Sequence, residues 1–374
     1  MTDPPFDGAI ASMLQRVNTT ADEAGAGFPV YADPATGSWT RADDGFWTGG
    51  FWCGLLWLAA QLTGDMGYRV RALRWAERLR ARAGSDTALR GFLFWYGAGI
   101  GAVLAGDGEA RDLALAGARG LASSYQPRAR LIPLGNAFAE SPDTGRLETN
   151  VDAVTGVVCL LAWAAEGVGE PSLGVIARAH AARHVELCLR PDGSVSQSAS
   201  VDPRTGEVLR RYTQKGLHDH STWSRAQAWA MLGFAQATRC FSGEFMDAAI
   251  RASDWWVDHL PSTGVVPWDF DDAAGTPVDT SATAIAAAAL LKMGALAPAR
   301  AERYHATAVR MVDALIACHL TPTAPDDRPP AGMLVDGCYD RRTSRATSHE
   351  LIWGDYFLFE ALLCLAGHLE PAAI

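Results

Sequence analysis

The 374-residue sequence has no excess of basic residues, since Lys and Arg total 32 against 42 Asp and Glu, for a formal charge of −10. This acidic balance argues against nucleic acid or an anionic membrane as the main partner. No apolar run is long enough to span a bilayer, because the longest are short stretches such as 284–291. Residues 1–5 lack the basic and apolar regions of a signal peptide. These absences favour a cytoplasmic location.

Cysteine is scarce and shows no pairing motif. The seven cysteines are odd in number and form no Cys-x-x-Cys, so free thiols in a reducing compartment are expected. With 49% apolar and 20% charged residues, the composition is otherwise that of an ordinary globular protein. The sequence does not determine the oligomeric state.

Two kinds of helical segment alternate along the chain. Segments with one apolar face, typical of amphipathic helices, are predicted near 7–24, 66–83, 109–124, 172–189, 244–260 and 300–317. Segments apolar on nearly every side, typical of buried helices, are predicted at 46–62, 91–104, 151–165, 221–238, 280–293 and 351–365. This alternation predicts an all-α fold, an (α/α)6 barrel that forms a single domain over residues 1–374.

Long loops precede several of the buried helices and are expected to emerge together at one mouth of the barrel. One loop runs from Gln126 to Glu148. Another spans 191–220 and contains a predicted β-hairpin around the turn at 203–206. Because functional sites concentrate on long loops over a rigid scaffold, this mouth is the candidate site.

Carboxylates and tryptophans gather at the starts of the buried helices. Asp152 lies just inside such a start, two residues after Asn150, where it either caps the helix or faces the cavity; the apolar surroundings favour the cavity. A carboxyl group buried beside aromatic rings can act as a general acid or base near neutral pH. Four tryptophans at these openings suit the apolar faces of sugar rings, namely Trp47, Trp223, Trp229 and Trp268.

The densest polar group comprises His218, Asp219, His220 and Arg225. The two histidines are compatible with a metal pair, but no further ligands with zinc-like spacing accompany them, so we predict no metal and no cofactor. A guanidinium on a buried helix requires an anion. Arg225 therefore either binds an anionic group of a ligand or pairs internally, for example with Asp219 or Asp269.

Five sequence blocks stand out along the chain. They are Trp-Thr-Gly-Gly-Phe-Trp at 47–52, Ser-Thr-Trp-Ser-Arg-Ala-Gln-Ala-Trp at 221–229, Trp-Asp-Phe-Asp at 268–271, Asp-Thr-Ser-Ala at 279–282 and Leu-Ile-Trp-Gly-Asp-Tyr at 351–356. These blocks resemble those of the unsaturated glucuronyl hydrolases of glycoside hydrolase family 88. They follow the family order from about residue 39 to 366, and the unsaturated rhamnogalacturonyl hydrolases of family 105 are a more distant match.

The resemblance implies an (α/α)6-barrel enzyme that removes a 4,5-unsaturated uronic acid from the non-reducing end of a small carbohydrate. An aspartic acid of the family protonates C4 of the enol ether and activates the water that adds at C5, after which the hemiketal collapses. Asp152 is the nearest match to that catalytic acid. Combined with the positional arguments above, the candidate substrate-binding residues are Trp47, Asn150, Gln197, Lys215, His218, Arg225 and Trp229.

The sequence departs from the family at several of these positions. Ala88 and Leu89 replace a family His-Asp pair, so the second active-site aspartate is absent, and restoring both residues is expected to recover activity if Leu89 occupies its place. Gln197 replaces a family histidine, and Lys215 replaces a glutamine. Three functions therefore stay open: hydrolysis of an unsaturated or modified uronide, another carbohydrate-active chemistry such as that of a conventional glycosidase or lyase, and non-catalytic sugar binding.

Overall fold

The computed structural model describes residues 6–23, 25, 27–137, 147–274, 276–322 and 329–374. The α-helices are α1 (Asp7–Glu23), α2 (Gly49–Thr63), α3 (Met66–Glu77), α4 (Arg90–Phe94), α5 (Ile100–Ala105), α6 (Gly108–Ser123), α7 (Val154–Val168), α8 (Pro171–Cys188), α9 (Ser224–Cys240), α10 (Met246–His259), α11 (Thr280–Leu296), α12 (Ala301–His319) and α13 (Ile352–Leu365). The strands are β1 (Phe28–Ala32), β2 (Trp39–Ala42), β3 (Leu147–Asn150), β4 (Ser198–Val201), β5 (Val208–Tyr212) and β6 (Glu350–Leu351).

The structure is mostly helical, and the predicted alternation of buried and amphipathic helices is confirmed. Helices α2, α9, α11 and α13 are buried along most of their length, whereas α10 and α12 each bury one face. The buried helices pack against one another in chain order: α2 against α4 and α5, α4 against α7, α7 against α9, α9 against α11, and α11 against α13. Helix α13 packs in turn against α2. Each amphipathic helix packs against at least one of these buried helices.

Short capped turns connect a buried helix to the next amphipathic one. Gly64 and Gly106 end α2 and α5 with left-handed backbone angles, φ 69° and 59°. Glycine adopts that conformation without the steric penalty of a Cβ. Asp65 and Asp107 then accept hydrogen bonds from backbone N–H groups in the first turns of α3 and α6. These caps satisfy donors that the helix itself leaves unpaired, so local sequence sets where each pair turns.

Two small antiparallel sheets, which an all-α description omits, lie among the loops. The predicted hairpin is confirmed, because β4 and β5 pair on either side of the turn at 202–207. Strand β3 adds to the other edge of β4, although the sequence assigned that segment to a loop. Strands β2, β1 and β6 form the other sheet, in that order. Of the predicted loop from 126 to 148, residues 138–146 lie outside the described residues, as does the segment 1–5.

Two interruptions shape the buried helices. One predicted helix at 91–104 is divided into α4 and α5 by a π-helical turn, Trp95–Gly99. Helix α7 is kinked near its start, where Thr155 has ψ 130° and Gly156 has φ 81°. A Cβ on Gly156 would lie 2.7 Å from the carbonyl oxygen of Gly91. Glycine therefore allows the start of α7 to approach the start of α4 closely.

Two predictions drawn from composition bear on the described residues. None of the helices in those ranges is both long and apolar enough to cross a membrane. All seven cysteines fall within the same ranges and are free thiols, as the sequence predicted.

Candidate active site

A pocket opens where several buried helices begin. Trp47 precedes α2, Leu89 precedes α4, Asp152 precedes α7 and Trp223 precedes α9. The residues that line the pocket are Trp47, Leu89, Phe92, Leu134, Asn150, Asp152, Gln197, Gln214, Lys215, Trp223, Arg225 and Trp229.

The pocket brings together Asp152 and all of the candidate substrate-binding residues except His218. The His218 side chain is exposed and lies outside the lining. Ser221 Oγ donates a hydrogen bond to His218 O at 2.9 Å, and His220 N donates to His218 Nδ1 at 3.2 Å. This tight turn leaves the His218 imidazole at the surface, so the expectation that His218 binds substrate receives no support from its position.

Asp152 lies in a single 3₁₀ turn, Val151–Ala153, at the entrance to α7. The turn is capped by Asn150, whose side chain accepts a hydrogen bond from Ala153 N at 3.2 Å. Asp152 itself lines the pocket, and its Oδ1 atom is buried without a hydrogen-bond partner among the described residues. The structure thus places the Asp152 carboxyl group in the cavity, and Asn150 caps the turn instead.

The surroundings of Asp152 raise the pKa of its carboxyl group to about 6. Burial is the largest cause, and it outweighs the lowering effects of Arg225, Lys215 and a hydrogen bond with Gln197. Removal from water penalises the charged form of a carboxyl group. A carboxyl group with a pKa this close to neutrality can both donate and accept a proton during a reaction.

Gln197 links the turn that carries Asp152 to the segment that carries Lys215. Its backbone oxygen accepts a hydrogen bond from Val151 N at 2.8 Å. Its side-chain Oε1 accepts one from Lys215 N at 3.0 Å. The interaction of the Gln197 side chain with Asp152 lowers the pKa of that carboxyl group. Gln197 therefore connects the turn that carries Asp152 to the segment that carries Lys215.

Arg225 lines the pocket, and its guanidinium group is held by contacts within the protein. Its Nη1 forms an ion pair with Asp279, and the two side chains are only 2% and 0% exposed. Nη1 also donates to Cys338 O and Nη2 donates to Tyr339 O, both at 2.6 Å. The guanidinium thus fastens the start of α9 to the start of α11 and to the loop before β6.

Of the two roles predicted for Arg225, the internal ion pair is the one observed, although the suggested partners were wrong. Asp219 pairs with Arg210. Asp269 accepts hydrogen bonds from Leu217 N at 2.8 Å and Ser221 Oγ at 2.7 Å. The sequence did not identify Asp279 as the partner of Arg225, because helix capping already accounted for an aspartate at this position. The structure shows that the Asp279 carboxylate both caps α11 and pairs with Arg225.

Lys215 brings a second positive charge to the pocket. Its ammonium nitrogen lies 4.5 Å from the centroid of the Tyr339 ring, a cation–π contact, and its charge lowers the pKa of Asp152. Asp279 compensates the charge of Arg225 within the scaffold, whereas Lys215 lines the pocket near Asp152.

Aromatic rings form much of the pocket wall. Trp47 is stacked against Tyr339 with centroids 6.4 Å apart and an interplanar angle of 17°. Trp229 packs against Phe92 with centroids 5.0 Å apart. Trp268, in contrast, lies outside the lining, and its Nε1 donates to Asp272 at 2.9 Å. Flat apolar surfaces beside polar groups suit the binding of a sugar ring.

Sequence reasoning missed part of the lining. Gln214 was identifiable as the neighbour of Lys215, and Phe92 as a residue one helical turn beyond Leu89. Leu134 belongs to a loop without any regular pattern, and its position depends on long-range contacts. No group of three or more metal-ligating side chains is arranged to hold a metal ion within the described ranges.

Comparisons with known proteins give a consistent result. No protein-family model matches the chain. The chain is 32% identical over 372 residues to the unsaturated glucuronyl hydrolase of Bacillus sp. (strain GL1), covering 96% of each protein. It is 28% identical to the unsaturated chondroitin disaccharide hydrolase of Streptococcus agalactiae serotype III (strain NEM316), covering 97% of this chain and 92% of that one. A solved structure of a UGL variant with dGlcA-Glc-Rha-Glc superposes with a TM-score of 0.89 at 31% identity, covering 96% of both chains.

Proposed function

The chain belongs to the unsaturated glucuronyl hydrolase family of glycosidases, and we propose that Asp152 is the acid–base with which it removes a 4,5-unsaturated uronic acid from an oligosaccharide. The observation that carries this assignment is the Asp152 carboxyl group, which lies in an aromatic pocket with a pKa of about 6. The relatives named above act on unsaturated glucuronyl and unsaturated chondroitin saccharides, and a substrate of that class is proposed here.

In the proposed reaction, the protonated Asp152 donates its proton to C4 of the enol ether. The Asp152 carboxylate that results then takes a proton from water as the water oxygen bonds to C5. The hemiketal formed at C5 opens the ring and releases the remaining saccharide. Trp47 and Trp229 form part of the pocket wall that contacts the sugar ring. Lys215 attracts the uronate carboxylate. No step requires a group that the pocket lacks.

We further propose that the closed series of contacts from α2 round to α13 is an (α/α)6 barrel formed by the whole chain as a single domain. The packing of α13 against α2 and the convergence of helix starts on one pocket support this architecture. The seven free thiols support the proposal of a reducing, cytoplasmic location.

The direct test is incubation with unsaturated glucuronyl and chondroitin disaccharides while the ultraviolet absorbance of the conjugated enol acid is followed. We expect the absorbance to disappear with the wild-type protein and to persist with Asp152→Asn. Release of a sugar with the absorbance intact would instead indicate a conventional glycosidase. Lack of turnover together with saturable binding of the same disaccharide would indicate a sugar-binding relative, a second candidate that the apolar Leu89 in the pocket favours.

The pH dependence of kcat/KM provides a prediction for the proposed acid. Burial raises the pKa of Asp152 to about 6, so the protonated, proton-donating form persists up to that pH. We expect kcat/KM to be level below about pH 6 and to fall about tenfold per pH unit above it. A descending limb near the ordinary pKa of an aspartic acid would contradict the assignment of Asp152.

Leu89 provides a second prediction, because this residue lines the pocket. We expect Leu89→Asp to increase turnover of unsaturated glucuronyl disaccharides by up to about 10²-fold, the lower end of what a positioned acid or base contributes. Like charge beside Asp152 should also move the descending pH limb upward. The control is Leu89→Asn, which has the same shape without the charge.

The companion change Ala88→His is left out of this experiment. Ala88 is fully buried, and an imidazole there would overpack the core at a cost of about 1–3 kcal/mol. If Leu89→Asp and Leu89→Asn have the same activity and pH profile, the position of Leu89 is not that of the missing aspartate.

A further inference from the structure

His180, in the middle of α8, is fully buried and does not line the pocket. Its two ring nitrogens contact two different segments of the pocket wall. Ile132 N donates a hydrogen bond to His180 Nδ1 at 3.1 Å, and His180 Nε2 lies 3.3 Å from Ala153 O. Ile132 is two residues before Leu134, Ala153 directly follows Asp152, and both Leu134 and Asp152 line the pocket. The imidazole therefore joins two segments of the wall without reaching the cavity.

These two contacts determine which nitrogen of His180 carries the proton. A backbone N–H can only donate, so Nδ1 accepts the hydrogen bond from Ile132 with its lone pair. A carbonyl oxygen can only accept, so Nε2 carries the proton that is donated to Ala153 O. The ring is therefore neutral, with its single proton on Nε2. Burial, with a smaller effect of the neighbouring His184, lowers the pKa of His180 well below its ordinary value, in agreement with a neutral ring.

The turn that carries Asp152 is not a rigid extension of α7. The chain leaves helical geometry directly after the turn, at positions 155–156. The place of residues 151–153 therefore depends on contacts with other segments. Gln197 O accepts a hydrogen bond from the first N–H of the turn at 2.8 Å, and His180 Nε2 donates to the last carbonyl oxygen of the turn. One contact holds each end of the turn.

A second buried histidine, one helical turn along α8, packs against His180. The two rings have centroids 4.2 Å apart. His184 Nδ1 donates a hydrogen bond to His180 O at 2.7 Å, and His184 Nε2 is hydrogen-bonded to Thr149 Oγ1 at 2.7 Å. Thr149 lies in β3, which leads directly into the turn that carries Asp152. The packing of the two rings restricts rotation of the His180 imidazole, so its Nε2–H stays directed at Ala153 O.

We propose that His180 is a positioning residue for the hydrolase reaction: its Nε2–H holds the turn at 151–153 so that the Asp152 carboxyl group faces the reacting carbon of the sugar. This inference rests on the proposed role of Asp152. His180 acts through the place of the acid, because its imidazole lies outside the pocket. Misplacing a reacting group by about 1 Å can lower a rate about 10²-fold, so one buried hydrogen bond at this turn has a measurable effect on turnover.

Two substitutions of His180 each retain one of its two contacts. His180→Gln places an NH₂ group near the former Nε2, so this variant still donates to Ala153 O. His180→Asn places an oxygen near the former Nδ1, so it still accepts from Ile132 N but has no donor for Ala153 O. Each variant loses one buried hydrogen bond, and a general loss of stability would therefore affect both variants alike.

We expect His180→Asn to lower kcat on an unsaturated glucuronyl disaccharide by about 10–10²-fold while KM changes less than about threefold. His180→Gln should keep kcat within about threefold of the wild type. The control is Thr149→Val, which removes the hydrogen bond to His184 and should lower the melting temperature without lowering kcat. The proposal is overturned if His180→Asn has wild-type kcat, if the Asn and Gln variants lose kcat equally, or if Thr149→Val loses as much as His180→Asn.

A readout without turnover separates this proposal from the proposed function. Carbon NMR of protein labelled in its aspartate carboxyl groups, assigned with Asp152→Asn, follows the pKa of Asp152, which burial raises to about 6. A displaced turn admits water to the carboxyl group, so His180→Asn should lower that pKa by about one unit and His180→Gln should not. That pattern in a protein without turnover would contradict the proposed function and support the positioning role, whereas an unchanged pKa in His180→Asn would contradict the positioning role.

Nitrogen NMR of the wild-type imidazoles, with the His180 signals assigned from His180→Gln, tests the contact itself even if His180→Asn does not fold. We expect a neutral His180 ring at neutral pH, with the proton on Nε2. A proton on Nδ1, or a ring that gains a second proton near the ordinary pKa of histidine, would overturn the proposal, because neither state allows both observed contacts.

Discussion

Replacement of Asp152 by asparagine is expected to lower kcat on an unsaturated glucuronyl disaccharide by a factor of about 10²–10⁴. The amide keeps the volume of the side chain but can neither donate a proton to C4 nor accept one from water. The measurement is the loss of enol-acid absorbance under saturating substrate. The control is Asp219→Asn, which removes an exposed carboxylate from the loop before α9 and should leave turnover unchanged.

The same Asp152→Asn variant should be at least as stable as the wild type at neutral pH. The pKa of Asp152 is raised in the folded protein from 3.8 to about 6, so folding favours the protonated form. The wild type therefore loses stability as the pH rises from about 4 to about 6, and the variant does not. The expected gain at neutral pH is about 1–3 kcal/mol in the free energy of unfolding. Near-normal turnover in a folded Asp152→Asn protein would contradict the catalytic assignment.

Replacement of Arg225 by methionine is expected to lower the free energy of unfolding by about 3–5 kcal/mol. The substitution leaves the Asp279 carboxylate buried without its cation, and it also leaves the carbonyl oxygens of Cys338 and Tyr339 without their donors. Urea unfolding measures the loss. Arg210→Met, which breaks the exposed pair with Asp219, serves as the control and should change stability little.

A double variant separates the effect of an unpaired buried charge on stability from the effect of lost packing. Arg225→Met combined with Asp279→Asn removes both charges, and we expect it to be more stable than Arg225→Met alone. If Arg225→Met unfolds like the wild type but no longer prefers a substrate carboxylate to its methyl ester, Arg225 binds the ligand and the internal pair is of minor importance.

The helices and their boundaries were the most predictable part of the fold. The hydrophobic period and the local caps, such as Gly64 with Asp65, involve residues within a few positions of each other. The convergence of Asp152, Gln197, Lys215 and Trp229 on one pocket was also predictable. Each lies in a loop or at the start of a buried helix, and alternation of buried and amphipathic helices brings those starts together.

The local sequence pattern did not predict the kink in α7. The segment 151–165 has the apolar composition of one continuous helix, yet Thr155 and Gly156 leave helical geometry. The reason is the close approach of Gly156 to the start of α4, which involves residues more than sixty positions apart. The exposure of His218 likewise results from a turn that Ser221 closes. The clustering of polar residues in the sequence did not reveal this turn.

Partner choice among buried charges required the folded chain. Local sequence indicated that Arg225 needs an anion and that Asp279 caps α11, because each of these statements concerns a single helix. That the two are a pair follows from the packing of α9 against α11. Coulomb and hydrogen-bond energies depend on distance in space, and sequence separation does not determine that distance until the helices have packed.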